Sequence, residues 1–153
     1  MHHIQVINQS NKSFRHTGIR AGIQAALELA GIREGSVTVL LADDKELRRL
    51  NREFRQIDEA TDVLTFPAPT NAGDSLGDIA ISVDFVERGA AKRKVSLSQE
   101  AAYLAIHGAL HLAGRDDQTE ADYRQMIQEM NLAAEKAGLK PDHEWQSLPH
   151  GDH

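Results

Sequence analysis

The chain has 153 residues, no cysteine and a formal net charge of −6. A chain of this length forms one compact domain that buries about 68–70% of its unfolded surface without a covalent staple. The absence of cysteine excludes disulfide frameworks, thiolate metal sites and cysteine nucleophiles, so a metal would bind histidine and carboxylate ligands, which is more typical of catalytic sites. We find no signal-peptide pattern and no apolar run of the about 18 residues that span a membrane, and we expect a soluble cytoplasmic protein.

The first half of the chain alternates strand-like and helix-like segments. The predicted elements are a strand at 4–7, a helix at 14–30 ended by Gly31, a strand at 36–41, a basic helix from a capping box at Asp43 and Glu46 to about residue 54, and strands at 61–67 and 78–83. Turn-forming residues separate the last two strands, so we expect those strands to pair antiparallel.

The second half of the chain is predicted to be helical. A short basic helix follows residue 84, a histidine-bearing helix begins at about residue 98, and a last helix begins at Thr119 and Asp122 and ends at Gly138. The order β-α-β-α-β-β-α-α-α predicts a single α+β domain over residues 1–153, with a small mixed four-stranded sheet, about five helices and the histidine helix at its centre. We expect the tail from about residue 140 to be loose.

The segment 107–117, HGALHLAGRDD, is typical of a metal site. On a helix the side chains of His107 and His111 lie on one face, about 6 Å apart, so their imidazoles can bind one ion. The surrounding helix is apolar on nearly every face, and buried imidazoles need partners. Gly114 can adopt a positive φ and reverse the chain, which brings Asp117 towards the same ion as a third ligand.

Other interpretations of these residues stay open. An isolated pair of histidines with this spacing is more often hydrogen-bonded than bound to metal. Asp117 can also simply begin the polar turn before Thr119. In that case one of three tail histidines could fold back as the third ligand: His143, His150 or His153.

Positive charge is concentrated in two segments, residues 45–55 and 86–95, although the whole chain is acidic. A polyanion could bind such a face, whereas the commoner interpretation of a charged run is a solvated helix surface. From these segments we take four residues as candidate contacts to a phosphate backbone: Arg52, Arg55, Lys92 and Arg93.

Three blocks in the same order resemble the YbeY endoribonuclease family: NREFRQIDEATDVLTFP, LGDIAIS and HGALHLAGRDD. The last block matches nine of the eleven positions of the family signature HGxLHLxGYDH. It departs at Arg115, where tyrosine is usual, and at Asp117, where the third metal-binding histidine is usual. The resemblance implies an α+β fold, a zinc ion in a cleft, and maturation of the 3′ end of small-subunit rRNA together with ribosome quality control.

The resemblance also implies roles for individual residues and partners. Arg55 corresponds to the family's functional arginine, and a guanidinium suits a scissile phosphate. His111 and Arg55 are therefore the predicted catalytic residues, and His107, His111 and Asp117 the predicted metal ligands. The implied partners are rRNA, the small ribosomal subunit, one of its proteins and a ribosome-assembly GTPase. A carboxylate in place of histidine still permits zinc but favours harder ions such as manganese.

Two other functions compete with a nuclease. The histidine spacing also occurs in metzincin-type proteases, but the general-base glutamate that follows the first histidine there is Gly108 here. A non-catalytic ribosome-binding factor with a structural metal is the stronger alternative, because the third histidine is absent.

Overall fold

The computed structural model describes residues 2–143 and 145. Its elements follow the predicted order: β1 (His2–Asn8), α1 (Thr17–Leu29), β2 (Gly35–Ala42), α2 (Asp44–Arg55), β3 (Val63–Pro67), β4 (Ser75–Ser82), α3 (Val83–Arg93), α4 (Leu97–Leu112) and α5 (Glu120–Lys136). Among these helices, none combines the length and the apolar character that crossing a bilayer requires.

The strands form one mixed four-stranded sheet in the order β1-β2-β4-β3. β1, β2 and β4 run parallel, and β3 lies at the edge, antiparallel to β4. The turn after Pro67 therefore produces the predicted antiparallel pair. The structure confirms the predicted α+β class.

Capping residues set where several helices begin. Asp43 accepts a hydrogen bond from the Glu46 amide at 2.9 Å, and Thr119 accepts one from the Asp122 amide at 3.1 Å. Each bond satisfies an amide that has no partner within the helix. The two predicted helix starts are confirmed.

Residues of alternate parity on the strands face two separate cores. Val39, Ile79 and Val63 belong to the larger cluster with α1, α4 and α5. Leu64 and Ala80 point to the other face and pack in a smaller cluster with residues of α2. This alternation follows from the two-residue period of a strand, and it places the histidine helix and the basic helix on opposite faces of the sheet.

Helix α4 is the centre of the larger core. Every residue from Glu100 to Leu110 is buried. Close approach to the sheet depends on Gly108, where a Cβ atom would lie 2.9 Å from Ile79 Cγ2. The prediction of a central, buried histidine helix is thus confirmed.

The prediction of a loose tail from residue 140 is wrong for the residues that the structure describes. The Lys140 carbonyl accepts hydrogen bonds from Gln99 and Tyr103, and Trp145 is only 2% exposed. The polar composition of the tail concealed this packing because its partners lie on α4 and α5, distant in sequence.

Candidate metal centre

His107 and His111 converge near the C-terminal end of α4. Their Nε2 atoms are 3.0 Å apart, and their rings meet edge to face with centroids 4.6 Å apart. His107 is 1% exposed. The helical period brings both imidazoles to one face, as their spacing predicted.

The turn after α4 brings Asp117 to the histidines. Gly114 has φ +92°, and the Arg115 amide donates to the Leu110 carbonyl at 2.9 Å, which closes the helix end. Arg115 Nε donates to both carboxylate oxygens of Glu129 on α5 at 3.1 Å. The turn is therefore fixed to both helices that flank it.

Asp116 shapes the same turn without joining the group. Its Oδ1 accepts hydrogen bonds from the amides of Asp117 at 2.7 Å and Gln118 at 3.2 Å. Asp116 is exposed. It acts as a turn residue, consistent with its exclusion from the predicted ligands.

Three ligand atoms lie close enough together to hold one ion. Asp117 Oδ2 is 3.5 Å from His107 Nε2 and 3.6 Å from His111 Nε2. A tetrahedral ion with bonds of about 2.0–2.1 Å keeps its ligand atoms about 3.3 Å apart. The observed separations fit that geometry, so this group could bind a metal ion.

Two aromatic side chains border the group. The Trp145 ring lies 5.7 Å from the His107 ring, centroid to centroid. Burial raises the pKa of Tyr123, and the nearby Asp117 carboxylate raises that pKa further. The Trp145 ring therefore packs beside the candidate metal site on the His107 side.

The histidine helix has no room for a protease-type glutamate. In metzincin-type sites the general base follows the first histidine, which is the position of Gly108. Because a Cβ atom at Gly108 would already lie 2.9 Å from Ile79 Cγ2, a larger side chain requires the Ile79 side chain to shift.

Arg55 lies across the edge strand from the metal group. It is the last residue of α2, its Nη2 donates to the Thr65 carbonyl, and its guanidinium carbon is 5.8 Å from the Phe66 ring centroid. At the end of β3, Pro67 pairs with Gly77 on β4, where a Cβ atom would lie 2.9 Å from Leu112 Cδ2 on α4. Arg55 thus contacts β3, and Leu112, the neighbour of His111, contacts the strand that pairs with β3.

The other predicted phosphate contacts differ in their surroundings. Arg52 and Lys92 are exposed, and Arg52 lies 3.8 Å from Asp58. Arg93 is only 21% exposed and donates to Glu100 Oε2 at 2.6 Å. Arg93 is thus part of a buried ion pair, which makes it a structural residue in this geometry.

No tail histidine within the described residues joins the candidate metal group. His143 is exposed and is absent from the group formed by His107, His111 and Asp117. His150 and His153 lie outside the described residues.

Comparison with known proteins agrees with this geometry. The family model described as endoribonuclease YbeY matches residues 5–138. The chain belongs to the endoribonuclease YbeY family. It is 40% identical over 107 residues to a protein named endoribonuclease YbeY from Acholeplasma laidlawii, covering 70% of this chain and 78% of that protein. A protein of the same name from Thermus thermophilus is 43% identical over 122 residues, with 75% of this chain and 87% of that protein covered.

A solved structure supports the fold as well. The solution structure of TM1509 from Thermotoga maritima superimposes with a TM-score of 0.63 at 27% identity, covering 88% of each chain. The resemblance to the YbeY family is therefore confirmed at the level of sequence, and the fold is shared with a solved protein.

Two buried residues were not predicted from the sequence: Trp145, whose ring lies 5.7 Å from the His107 ring, and Glu100, which accepts a hydrogen bond from Trp145. Trp145 Nε1 donates to Glu100 Oε2 at 3.2 Å, and both side chains are buried. A usable signal existed, since this is the single tryptophan of the chain, and large aromatic side chains in polar tails tend to find apolar partners.

Proposed function

We propose that this protein is a metal-dependent endoribonuclease that cleaves single-stranded RNA, and that it acts in maturing the 3′ end of small-subunit rRNA and in ribosome quality control. Membership of the endoribonuclease YbeY family supports RNA cleavage. The observation that carries the proposal is the convergence of His107, His111 and Asp117 on one point.

The donor set suits a catalytic ion. Three protein ligands leave the fourth position of a tetrahedral ion for water or substrate. A bound divalent ion supplies positive charge for a phosphoryl oxygen and lowers the pKa of bound water towards 7. His107 and His111 would hold it through Nε2 and Asp117 through Oδ2. We propose zinc as the resident ion, with manganese as the alternative that the carboxylate favours.

Arg55 is the proposed contact to the scissile phosphate. Its contact with the Thr65 carbonyl and its position over Phe66 orient the guanidinium at the sheet edge. A forked donor with permanent charge stabilises the negative charge that develops on the phosphate in the transition state. Arg52 and Lys92 are exposed and would contact flanking phosphates.

Ribosome-related partners follow from the proposed substrate. We propose rRNA and the small ribosomal subunit as targets, with a small-subunit protein and an assembly GTPase as accessory partners in the cytoplasm. Sequence-independent contacts to phosphates account for RNA affinity, whereas such a protein partner would select the site of cleavage.

The proposal is tested by measuring cleavage and binding of a single-stranded rRNA fragment in a nuclease-free preparation at stated salt. The variants are His111→Ala, which removes a metal ligand, and His143→Ala, which removes an exposed histidine outside the group. We expect cleavage and metal content to fall together in His111→Ala and to be unchanged in His143→Ala.

Two results would decide against the proposal. Cleavage that is unaffected by His111→Ala would indicate a metal-independent or contaminating activity. RNA binding without cleavage in the metal-loaded wild type would favour the alternative of a non-catalytic RNA-binding factor, for which the absence of the third histidine is the supporting observation.

A further inference from the structure

A segment beyond the family match packs against the metal centre. The family model ends at residue 138, yet the Trp145 ring lies 5.7 Å from the ring of the metal-ligand candidate His107. Both side chains are buried, at 2% and 1% exposure. The tail thus contributes a wall to a site whose three ligands come from α4 and the turn after it.

Hydrogen bonds to two helices hold this segment in place. Gln99 Nε2 on α4 donates to the Lys140 carbonyl at 2.6 Å, and the Tyr103 hydroxyl donates to the same carbonyl. On α5, Asn131 Oδ1 accepts from the Asp142 amide at 2.6 Å, and Asn131 Nδ2 donates to the Asp142 carbonyl at 3.3 Å. Hydrogen bonds to both helices therefore fix the position of the segment.

The indole itself is held by a buried ion pair. Glu100 Oε2 accepts from Trp145 Nε1 at 3.2 Å and from Arg93 Nη1 at 2.6 Å. The Arg93 guanidinium carbon lies 5.5 Å from the Trp145 ring centroid, and Tyr103 stacks on the indole with ring centroids 6.0 Å apart. Cation–π and ring contacts add to the hydrogen bond in fixing the indole plane.

We propose that Trp145, held by Glu100 and Arg93, is a positioning residue that fixes the His107 imidazole in its metal-binding orientation. The inference rests on the metal centre of the proposed function, although it does not depend on RNA cleavage. Groups that orient a metal ligand without touching the ion raise metal affinity, because a ligand that is already ordered loses less freedom on binding.

The single tryptophan of the chain makes the proposal measurable. Ring currents from the indole shift the proton resonances of the His107 imidazole in the metal-free protein, which tests the packing alone. Added Co²⁺ quenches indole fluorescence at short range, which tests whether the ion binds beside Trp145. Competition titration with Zn²⁺ then gives the dissociation constant of each variant.

Three variants separate positioning from stability. Trp145→Ala removes the ring and is expected to weaken Zn²⁺ affinity by about 10- to 100-fold. Trp145→Phe keeps a ring against His107 and is expected to recover most of that loss. Leu47→Ala is the matched control, because Leu47 is fully buried in the smaller core across the sheet, and it should lower stability without changing Zn²⁺ affinity.

The outcomes distinguish this proposal from the proposed function. Loss of the ring-current shift in Trp145→Ala, Co²⁺ quenching in the wild type and weaker Zn²⁺ binding in Trp145→Ala would support positioning. Unchanged Zn²⁺ affinity in folded Trp145→Ala, or His107 resonances that are insensitive to the variant, would overturn it while leaving the metal centre intact. A wild type that binds no metal would overturn both, whereas metal binding without RNA cleavage would contradict the nuclease function only.

If Trp145→Ala does not fold, Glu100→Gln takes its place, because it weakens the support of the indole without opening a cavity.

Discussion

Helices α4 and α2 carry the histidines and the arginines on which the proposed function depends, and the two helices lie in different environments. On α4 the imidazoles are buried and need no residue outside the local motif to meet. On α2, Arg48, Arg49 and Arg52 are exposed, and Arg48 pairs with Asp58, which lies beyond the end of the helix. A buried local motif can therefore be predicted from spacing, whereas the positive field of α2 also depends on Asp58, a partner outside the helix.

The pairing on the α2 surface reduces its positive field. Arg49 bonds both Glu46 and Glu53 at 2.7 Å. Exposed ion pairs of this kind stabilise a fold by about 0.2–1 kcal/mol, yet they cancel charge that a phosphate backbone would otherwise attract. This difference between α4 and α2 leads to the following predictions.

Removing a ligand on α4 should have the largest effect. His111→Ala is expected to lose bound metal and to reduce cleavage by about 100-fold or more, because even residues that only orient a ligand cost 10- to 100-fold. Elemental analysis and cleavage rates on the same preparation test this. Restoration of activity by excess Zn²⁺ would show weakened rather than abolished binding, and full activity in metal-free protein would contradict the centre.

Arg55 should be the α2 arginine with the largest catalytic effect. Arg55→Lys keeps the charge and loses the forked donor, and we expect kcat to fall by about 10²- to 10³-fold at unchanged metal content. Arg49→Lys on the same helix is the control, since Arg49 is exposed and paired with glutamates. Equal losses in both variants would mean that a forked donor matters at either position of α2, and would contradict a specific role for Arg55.

Asp117 should set the choice of metal. Asp117→His removes a negative charge from the ligand set, and we expect tighter Zn²⁺ binding relative to Mn²⁺ by about tenfold, since imidazole suits zinc and carboxylate suits harder ions. Asp116→Asn makes the same change in charge at a neighbouring turn residue outside the group. Competition between the two ions measures the ratio, and the same ratio in Asp117→His and wild type would contradict the prediction.

Residue spacing within single helices predicted the helix starts and the histidine pair, but not the contacts between residues that are distant in the sequence. The capping residues Asp43 and Thr119 and the His107–His111 spacing act within one helical turn, so they are readable in sequence. The docking of Trp145 depends on Glu100, 45 residues away in the chain. The neutralisation of the α2 arginines is only partly local, because the partners of Arg49 lie on the same helix whereas Asp58, the partner of Arg48, follows it.

Two ion pairs should make stability depend on pH in opposite directions: the buried pair of Glu100 with Arg93 and the exposed pair of Asp58 with Arg48. Burial raises the pKa of Glu100, although Arg93 and Trp145 oppose the rise and Asp142 adds to it. A raised pKa means that the folded state holds the Glu100 proton more tightly than the unfolded state does. The protonated carboxyl therefore contributes fully to stability below the ordinary pKa of glutamate, and that contribution is lost as pH rises through the raised pKa of Glu100. Arg48 instead lowers the pKa of Asp58, so that contribution is lost as pH falls.

The variant Glu100→Gln tests whether the Glu100 carboxyl makes the protein less stable as pH rises. In metal-free protein, we expect the free energy of unfolding of the wild type, relative to Glu100→Gln, to fall as pH rises from about 4.5 through the raised pKa. Urea unfolding at a series of pH values measures it. A difference that stays constant with pH would show that Arg93 and Trp145 offset burial, and one that grows with pH would show that they outweigh it.

The smallest expected effect comes from freeing the α2 arginines. Asp58 lies 2.8 Å from Arg48 and 3.8 Å from Arg52, and both arginine side chains are more than half exposed. Asp58→Asn should therefore leave stability almost unchanged, because exposed ion pairs contribute little, while strengthening binding to single-stranded RNA at low salt. If the freed charge gains one phosphate contact, the slope of log K against log salt steepens by about 0.7.

Glu120→Gln, which removes an exposed partner of Arg124 on α5, makes the same change in net charge away from α2. If both variants bind RNA equally well, net charge alone governs affinity and the α2 surface has no special role; if only Asp58→Asn gains, RNA contacts this helix and its field is limited by its own ion pairs.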